Sequence, residues 1–235
     1  MAKAGILVHA RHLETIGWDE LMWGTPKAGH LGSLPMLVDV LLRESKDEPF
    51  TCIVIGAGPS AKNGMSESEY IKHYTLEHLP ELKEALLFKN RLVGNAYDKL
   101  RERLQNIVVT DEPYNTVDEI TKAAAIFAAH NVSKVVQIAC ASHAPRCIRS
   151  QSEARAKGTI PADQLWSVIA DDQSFYGETP SSTIIIEPPH RGDDPLLGVE
   201  PKLTDVLKPF YSKLSVEAKK EFILMADAFM KKNAS

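Results

Sequence analysis

The 235-residue chain has little cysteine, and what it has is badly placed for covalent or metal frameworks. Cys52, Cys140 and Cys147 are odd in number and lack CxxC spacing, which excludes a disulfide scaffold and a cysteine zinc site, so all three are expected as reduced thiols. Long apolar runs are also missing. The opening stretch MAKAGILVHARH holds six apolar residues before charge returns, too few for a signal core or a bilayer span, so a cytosolic protein that avoids membranes is expected. Neither sign of charge dominates, with 27 Lys and Arg against 31 Asp and Glu and a net charge of −4. The bases are scattered among acids, which argues against nucleic acid as a partner. No GxxxxGK[ST], HExxH or G-x-S-x-G stretch occurs, so phosphate-loop, zinc-peptidase and nucleophile-elbow chemistry have no local support. His9 and His12 stand three apart at a strand end, where side chains alternate, and no shared metal is expected.

What is present is an alternation of short β-branched runs with amphipathic stretches. Residues 5–10, 51–55, 106–110, 134–139, 165–170 and 182–187 read as six strands buried in a sheet. Between them, helices are expected over 33–46, 66–78, 80–104 with a break near Gly94, 116–130 and 144–157, with Gly158 as the last one's stop. Two more, 204–213 and 215–232, form a C-terminal helical extension. Such alternation predicts one α/β domain over residues 1–235, a doubly wound, mostly parallel, Rossmann-like sheet with helices on both faces.

In that architecture ligands sit at the carboxyl edge of the strands, against the amino ends of the following helices. Five segments meet there: 9–12, 56–60, 111–116, 142–146 and 187–194. Thr116 and Glu119 have the T-x-x-E spacing of a capping box, while Asn115 and the free amides at Thr116 offer a positive dipole end to an anion. His143 and Arg146 bracket Ala144 and Pro145. An arginine early in a helix opposes the dipole and wants an anionic partner, either Asp111 or Glu112 at the surface or the acid group of a ligand. Gly56 and Gly58, in VIGAGPSA, permit close backbone approach, although the stretch is a poor dinucleotide fingerprint. The long segment Arg11 to Gly32, with Trp18, Trp23 and four glycines, is expected to be a lid over this edge.

Order and spacing over about residues 51–158 carry a family likeness. The glycine turn IGAG, the helix opening MSESEY, the acid-and-NT stretch DEPYNTVDE and the strand end ACASHAPR with its H-x-x-R resemble, in sequence, the YdcF/SanA/ElyC-like family of bacterial domains. The first strand's exit reads VHARH where that family has paired glycines. The resemblance lies nearest the branch without a membrane segment, and it implies an enzyme that binds S-adenosylmethionine or a similar nucleoside as cofactor or substrate. On that reading the ligand site comprises Gly56, Gly58, Tyr114, Asn115, Thr116, Ser142, Arg146 and Trp18. Tyr114 or Trp18 would face a sulfonium through cation–π attraction. His143 is the candidate catalytic acid or base. Two alternatives stand beside it: a hydrolase or transferase on a phosphate-bearing small molecule, with His143 and Arg146 as acid–base and clamp, and a non-catalytic ligand sensor. Composition leaves the chain open to oligomerisation.

Overall fold

The computed structural model describes residues 3–15, 17–44, 49–110, 115–141 and 143–172, together with positions 215, 218, 219, 221, 222, 224 and 225. Its centre is a sheet of five parallel strands: β1 (Lys3–Val8), β2 (Phe50–Ile55), β3 (Val108–Val109), β4 (Val132–Ala139) and β5 (Leu165–Ala170). Their order across the sheet is β3-β2-β1-β4-β5. The chain therefore steps outward from β1 to β3, then returns to the other side of β1, which makes the gap between β1 and β4 the switch point of a Rossmann-like fold. The ends are level, since Val8 pairs with both Ile55 and Ile138, and Ile55 with Val109.

Side-chain alternation sorts the helices. Ile6, Val8, Ile53, Ile55 and Ile138 point into a core shared with α1 (Trp18–Met22), α2 (Ser33–Leu42), α3 (Glu67–His78) and α4 (Asn95–Gln105). The intervening Leu7, Cys52, Val54 and Val135 point the other way, into a core shared with α5 (Thr116–Ala129) and α6 (Ala144–Ala156). α2 is buried almost all round through Leu34, Leu37, Val38 and Leu41, each such side chain contributing about 1.5–3 kcal/mol of transfer free energy. Cys52, Cys140 and Cys147 are buried and form no disulfide with one another.

Three expectations need correction. The helix read over 80–104 is a 3-10 segment (Leu79–Glu84), a run of turns, and then α4. The reason lies in the apolar spacing: Leu79, Leu82, Ala85 and Phe88, all fully buried, recur every three residues, the period of a 3-10 turn and not of an α-helix. The expected capping box at Thr116 does not form either. Asn115 is the cap, its side chain accepting the Asp118 amide at 3.0 Å, and Glu119 turns inward instead. Nor is Arg11 to Gly32 a bare loop. It folds into α1 and a small hairpin, Gly24–Thr25 with His30–Leu31, and buries both tryptophans. Trp18 packs edge-on against Tyr70 and Tyr74, Trp23 against Tyr74. These rings join the segment to α3, so aromatic burial claims the residues that lacked a periodic pattern. The strand expected over 182–187 and the helix over 204–213 lie outside the described residues, as does most of 215–232. Among the described residues no helix is long and apolar enough to cross a membrane.

Candidate functional site

A cavity of about 350 Å³ opens at the carboxyl edge of β1, β2 and β4. That volume lies in the range of small-molecule sites, roughly 300–1,000 Å³. Five pieces of chain wall it: the β1 exit (Ala10, Arg11, His12), the β2 exit (Ala57, Gly58, Pro59), Glu67 at the start of α3, the first turn of α5 (Asn115 to Glu119), and one face of α6 with His143 before it. On α6, Arg146, Arg149, Ser150 and Glu153 follow the i, i+3, i+4, i+7 rule, which is why one helix contributes four side chains to the same wall. Three guanidinium groups, Arg11, Arg146 and Arg149, thus share one cavity with the amino end of a fourteen-residue helix.

Beneath it lies a buried polar chain. His9 is 2% exposed; its Nδ1 meets Glu119 Oε2 at 2.9 Å and its Nε2 meets Gln137 Oε1 at 2.9 Å. Gln137 Nε2 donates to Gln151 Oε1 at 2.7 Å, and Gln151 Nε2 donates to the Trp166 carbonyl at 3.4 Å. A carbonyl only accepts, so the chain's polarity is set from that end: each amide presents its oxygen toward His9, and Nε2 of His9 must carry a proton. Nδ1, facing a carboxylate, carries one too, so His9 is an imidazolium. Its pKa lies well above 6.5, because Cys147 and Glu119 together outweigh the burial that alone would lower it. The other oxygen of Glu119 accepts the Ala10 amide at 3.3 Å.

Two glycines make room for the carboxylates. A Cβ on Gly56 would overlap Glu119 Oε1, and one on Gly58 would lie 2.8 Å from Glu67 Oε1. Glu67 is 2% exposed although it is the first residue of its helix. Ser60 Oγ donates to its Oε2, and His12 Nδ1 stands 3.7 Å from the same oxygen. Burial pushes the Glu67 carboxyl up to about 7; hydrogen bonds from Ser60 and Gly58 offset part of the rise and the Glu119 charge adds to it. A group that titrates near neutrality and lines a cleft is suited to proton transfer.

In the same lining, Thr116 Oγ1 and His143 Nε2 are 3.0 Å apart, both buried, a hydroxyl and a base within hydrogen-bond reach at the amino ends of α5 and α6. The His143 ring lies 5.4 Å from that of His9. Arg11 Nη1 reaches Cys140 Sγ at 2.7 Å, while its Nε is buried with no hydrogen-bond partner among the described residues. Also among the described residues, no group of three or more His, Cys, Asp or Glu side chains is placed to hold a metal ion.

Of the residues singled out by sequence, Gly58, Asn115, Thr116, His143 and Arg146 line the cavity together. Gly56 lies against Glu119. Trp18 stands apart, 4% exposed in the aromatic core, with its Nε1 donating to the Arg11 carbonyl at 3.0 Å. Tyr114 and Ser142 lie outside the described residues. Arg11 and Glu67 fall in stretches the sequence marks, 9–12 and MSESEY, without a role of their own; Arg149 and Glu153 are missed, and Glu119 reads as a cap. The α6 spacing from Arg146 could have found two of them; nothing local marks Glu67 or Glu119 as buried. Compared with protein-family models, curated proteins and solved structures, the chain matches none.

Proposed function

We propose that the protein is an enzyme that takes the anionic group of a small molecule into this cavity and transfers or hydrolyses it, a phosphate-bearing substrate fitting best. The supporting observation is the convergence of Arg11, Arg146 and Arg149 with the amino end of α5 on one cavity. Planar guanidinium groups bind tetrahedral oxyanions through paired hydrogen bonds, and a helix start adds free amides and a dipole. Two of the four carboxylates in the wall, Glu119 and Glu67, do little to offset this field, while Asp118 and Glu153 leave it mixed in sign. Glu119 is paired with the His9 imidazolium, and Glu67 is largely protonated below about pH 7. Within hydrogen-bond reach of the Thr116 hydroxyl, His143 is placed to take its proton, directly or for a bound water, while charge that develops on the transferred group meets the arginines.

S-adenosylmethionine, implied by the YdcF-like resemblance, is the second reading. It is favoured by Asp118 and Glu153 in the same wall, which suit the ligand's ammonium and sulfonium while Arg146 and Thr116 take its carboxylate. Buried Trp18 supplies no ring to that ligand.

A thermal-shift panel of phosphomonoesters, nucleotides, sugar nucleotides and S-adenosylmethionine separates the two. A ligand at a hundredfold its Kd adds about 2.7 kcal/mol to stability. A phosphate-bearing compound should raise Tm in the wild type and fail to do so in Arg146→Ala. A shift with S-adenosylmethionine alone would overturn the first reading in favour of the second, and no shift with any of these compounds would overturn both.

A further inference from the structure

The inward turn of Glu67 is the feature that neither fold nor anion binding requires. A carboxylate in the first turn of a helix ordinarily faces water, where the dipole stabilises it at no cost. Here it is folded back under the β2 exit, at the cost of a glycine at position 58 and of its own solvation. Its hydrogen-bond supply is committed. Ser60 Oγ already accepts the Leu13 amide at 3.0 Å, so its one proton is directed at Glu67 Oε2. Among the described residues, the groups that face it are few: Ser60 and the Gly58 amide from the β2 exit, His12 from the β1 exit, and Glu119 from α5. Glu119 is paired with His9 and the Ala10 amide, and His12, 30% exposed, stands at 3.7 Å as the link to solvent. Glu67 is thus a buried carboxyl on the ligand cavity that the Thr116–His143 pair also lines, and among the described residues it has no close salt bridge to a fixed cation.

We propose that Glu67 is a catalytic residue that exchanges a proton with the bound anionic substrate at the oxygen where its bond breaks. This rests on the reading of the cavity as an anion site. In the cleavage direction, the Glu67 O–H proton passes to the leaving oxygen, which takes the electron pair of the breaking bond. The attacking hydroxyl or water forms the new bond and gives its proton to His143. Glu67, left as a carboxylate, recovers its proton from water through His12.

The proton link can be read without turnover, using sulfate, a tetrahedral anion that carries no titrating proton near neutrality. Titration calorimetry at pH 7.5 in buffers of different ionisation enthalpy counts protons taken up on binding. Half a unit above its pKa, Glu67 is about three-quarters ionised, so an anion that drives it to the acid form takes up at most about 0.75 proton. Wild type should show uptake of that order, Glu67→Gln should bind sulfate with none, and His12→Gln should keep it. Uptake unchanged in Glu67→Gln, or absent in wild type that binds sulfate, would overturn the proposal. Failure of wild type to bind sulfate would remove the anion reading itself, and this one with it. Should Glu67→Gln not fold, infrared spectroscopy of wild type decides: a protonated-carboxyl band should disappear between about pH 6 and 8, and its absence at pH 6 refutes the assignment.

Discussion

Ionising Glu67 inside the folded protein should be visible as a stability cost with a defined pH window. Its folded-state pKa of about 7 stands against an ordinary value of 4.5. That difference of 2.5, at about 1.36 kcal/mol per unit, amounts to about 3 kcal/mol. The folded state binds more protons than the unfolded state between these two values, so stability falls as pH rises from about 4.5, and the full cost is present above about 7. Glu67→Gln keeps the shape and an oxygen for Ser60 but has nothing to ionise. Urea denaturation of both proteins at intervals from pH 4.5 to 8 should show the difference between them shifting by about 3 kcal/mol in favour of the glutamine variant. His9 does not confuse this comparison. Its raised pKa contributes stability that is whole below 6.5 and lost as pH rises through the folded value, and both proteins share it. Parallel stability curves across the range would refute the argument that this carboxyl is buried and strained toward its neutral form.

Gly56→Ala drives a methyl group into Glu119 and should separate it from His9, costing about 3–5 kcal/mol in chemical denaturation, as expected when a buried charge loses its partner; a cost under about 1 kcal/mol would mean the pair tolerates displacement. Asn115→Ala should lose about 1 kcal/mol as a helix cap. Thr116→Ala, which spares the cap, should instead abolish the Thr116–His143 contact, measured as a changed His143 titration by NMR at nearly unchanged stability. For Arg146, calorimetric sulfate affinity should fall by about 2–5 kcal/mol on substitution by alanine, with lysine recovering little of it, because the paired donors of the guanidinium are lost.

How far a sequence speaks for its own site depends on whether the signal is local. Five strands were legible because apolar runs such as Cys52 to Ile55 are buried on both faces, and the helix start at Thr116 was legible although its cap is Asn115 and not the threonine. The segment after His78 misled because a three-residue apolar period resembles a helix face when only charge and length are weighed. Trp18 and Trp23 misled because their partners, Tyr70 and Tyr74, lie some fifty residues onward on another helix. The polar floor was the least legible part. His9 and Glu119 are 110 residues apart, His9 and Gln137 are 128 apart, and each looks ordinary in its own neighbourhood. His143 and Arg146 are marked by their three-residue spacing at a strand end, and helical spacing adds Arg149 and Glu153; their meeting with Arg11 and Glu67 is a product of topology.

That topology gives the cavity a mechanical position as well as a chemical one. Glu67 belongs to the layer of helices on one face of the sheet, Thr116 and Arg146 to the layer on the other, and among the described residues the two apolar cores behind them share none. A molecule that touches Glu67 and Arg146 at once ties the outer ends of these layers together across the switch point. Its binding energy then resists the parting of the two halves about β1 and β4, so that amides deep in both cores, far from any contact with the ligand, exchange their hydrogens more slowly when the cavity is filled.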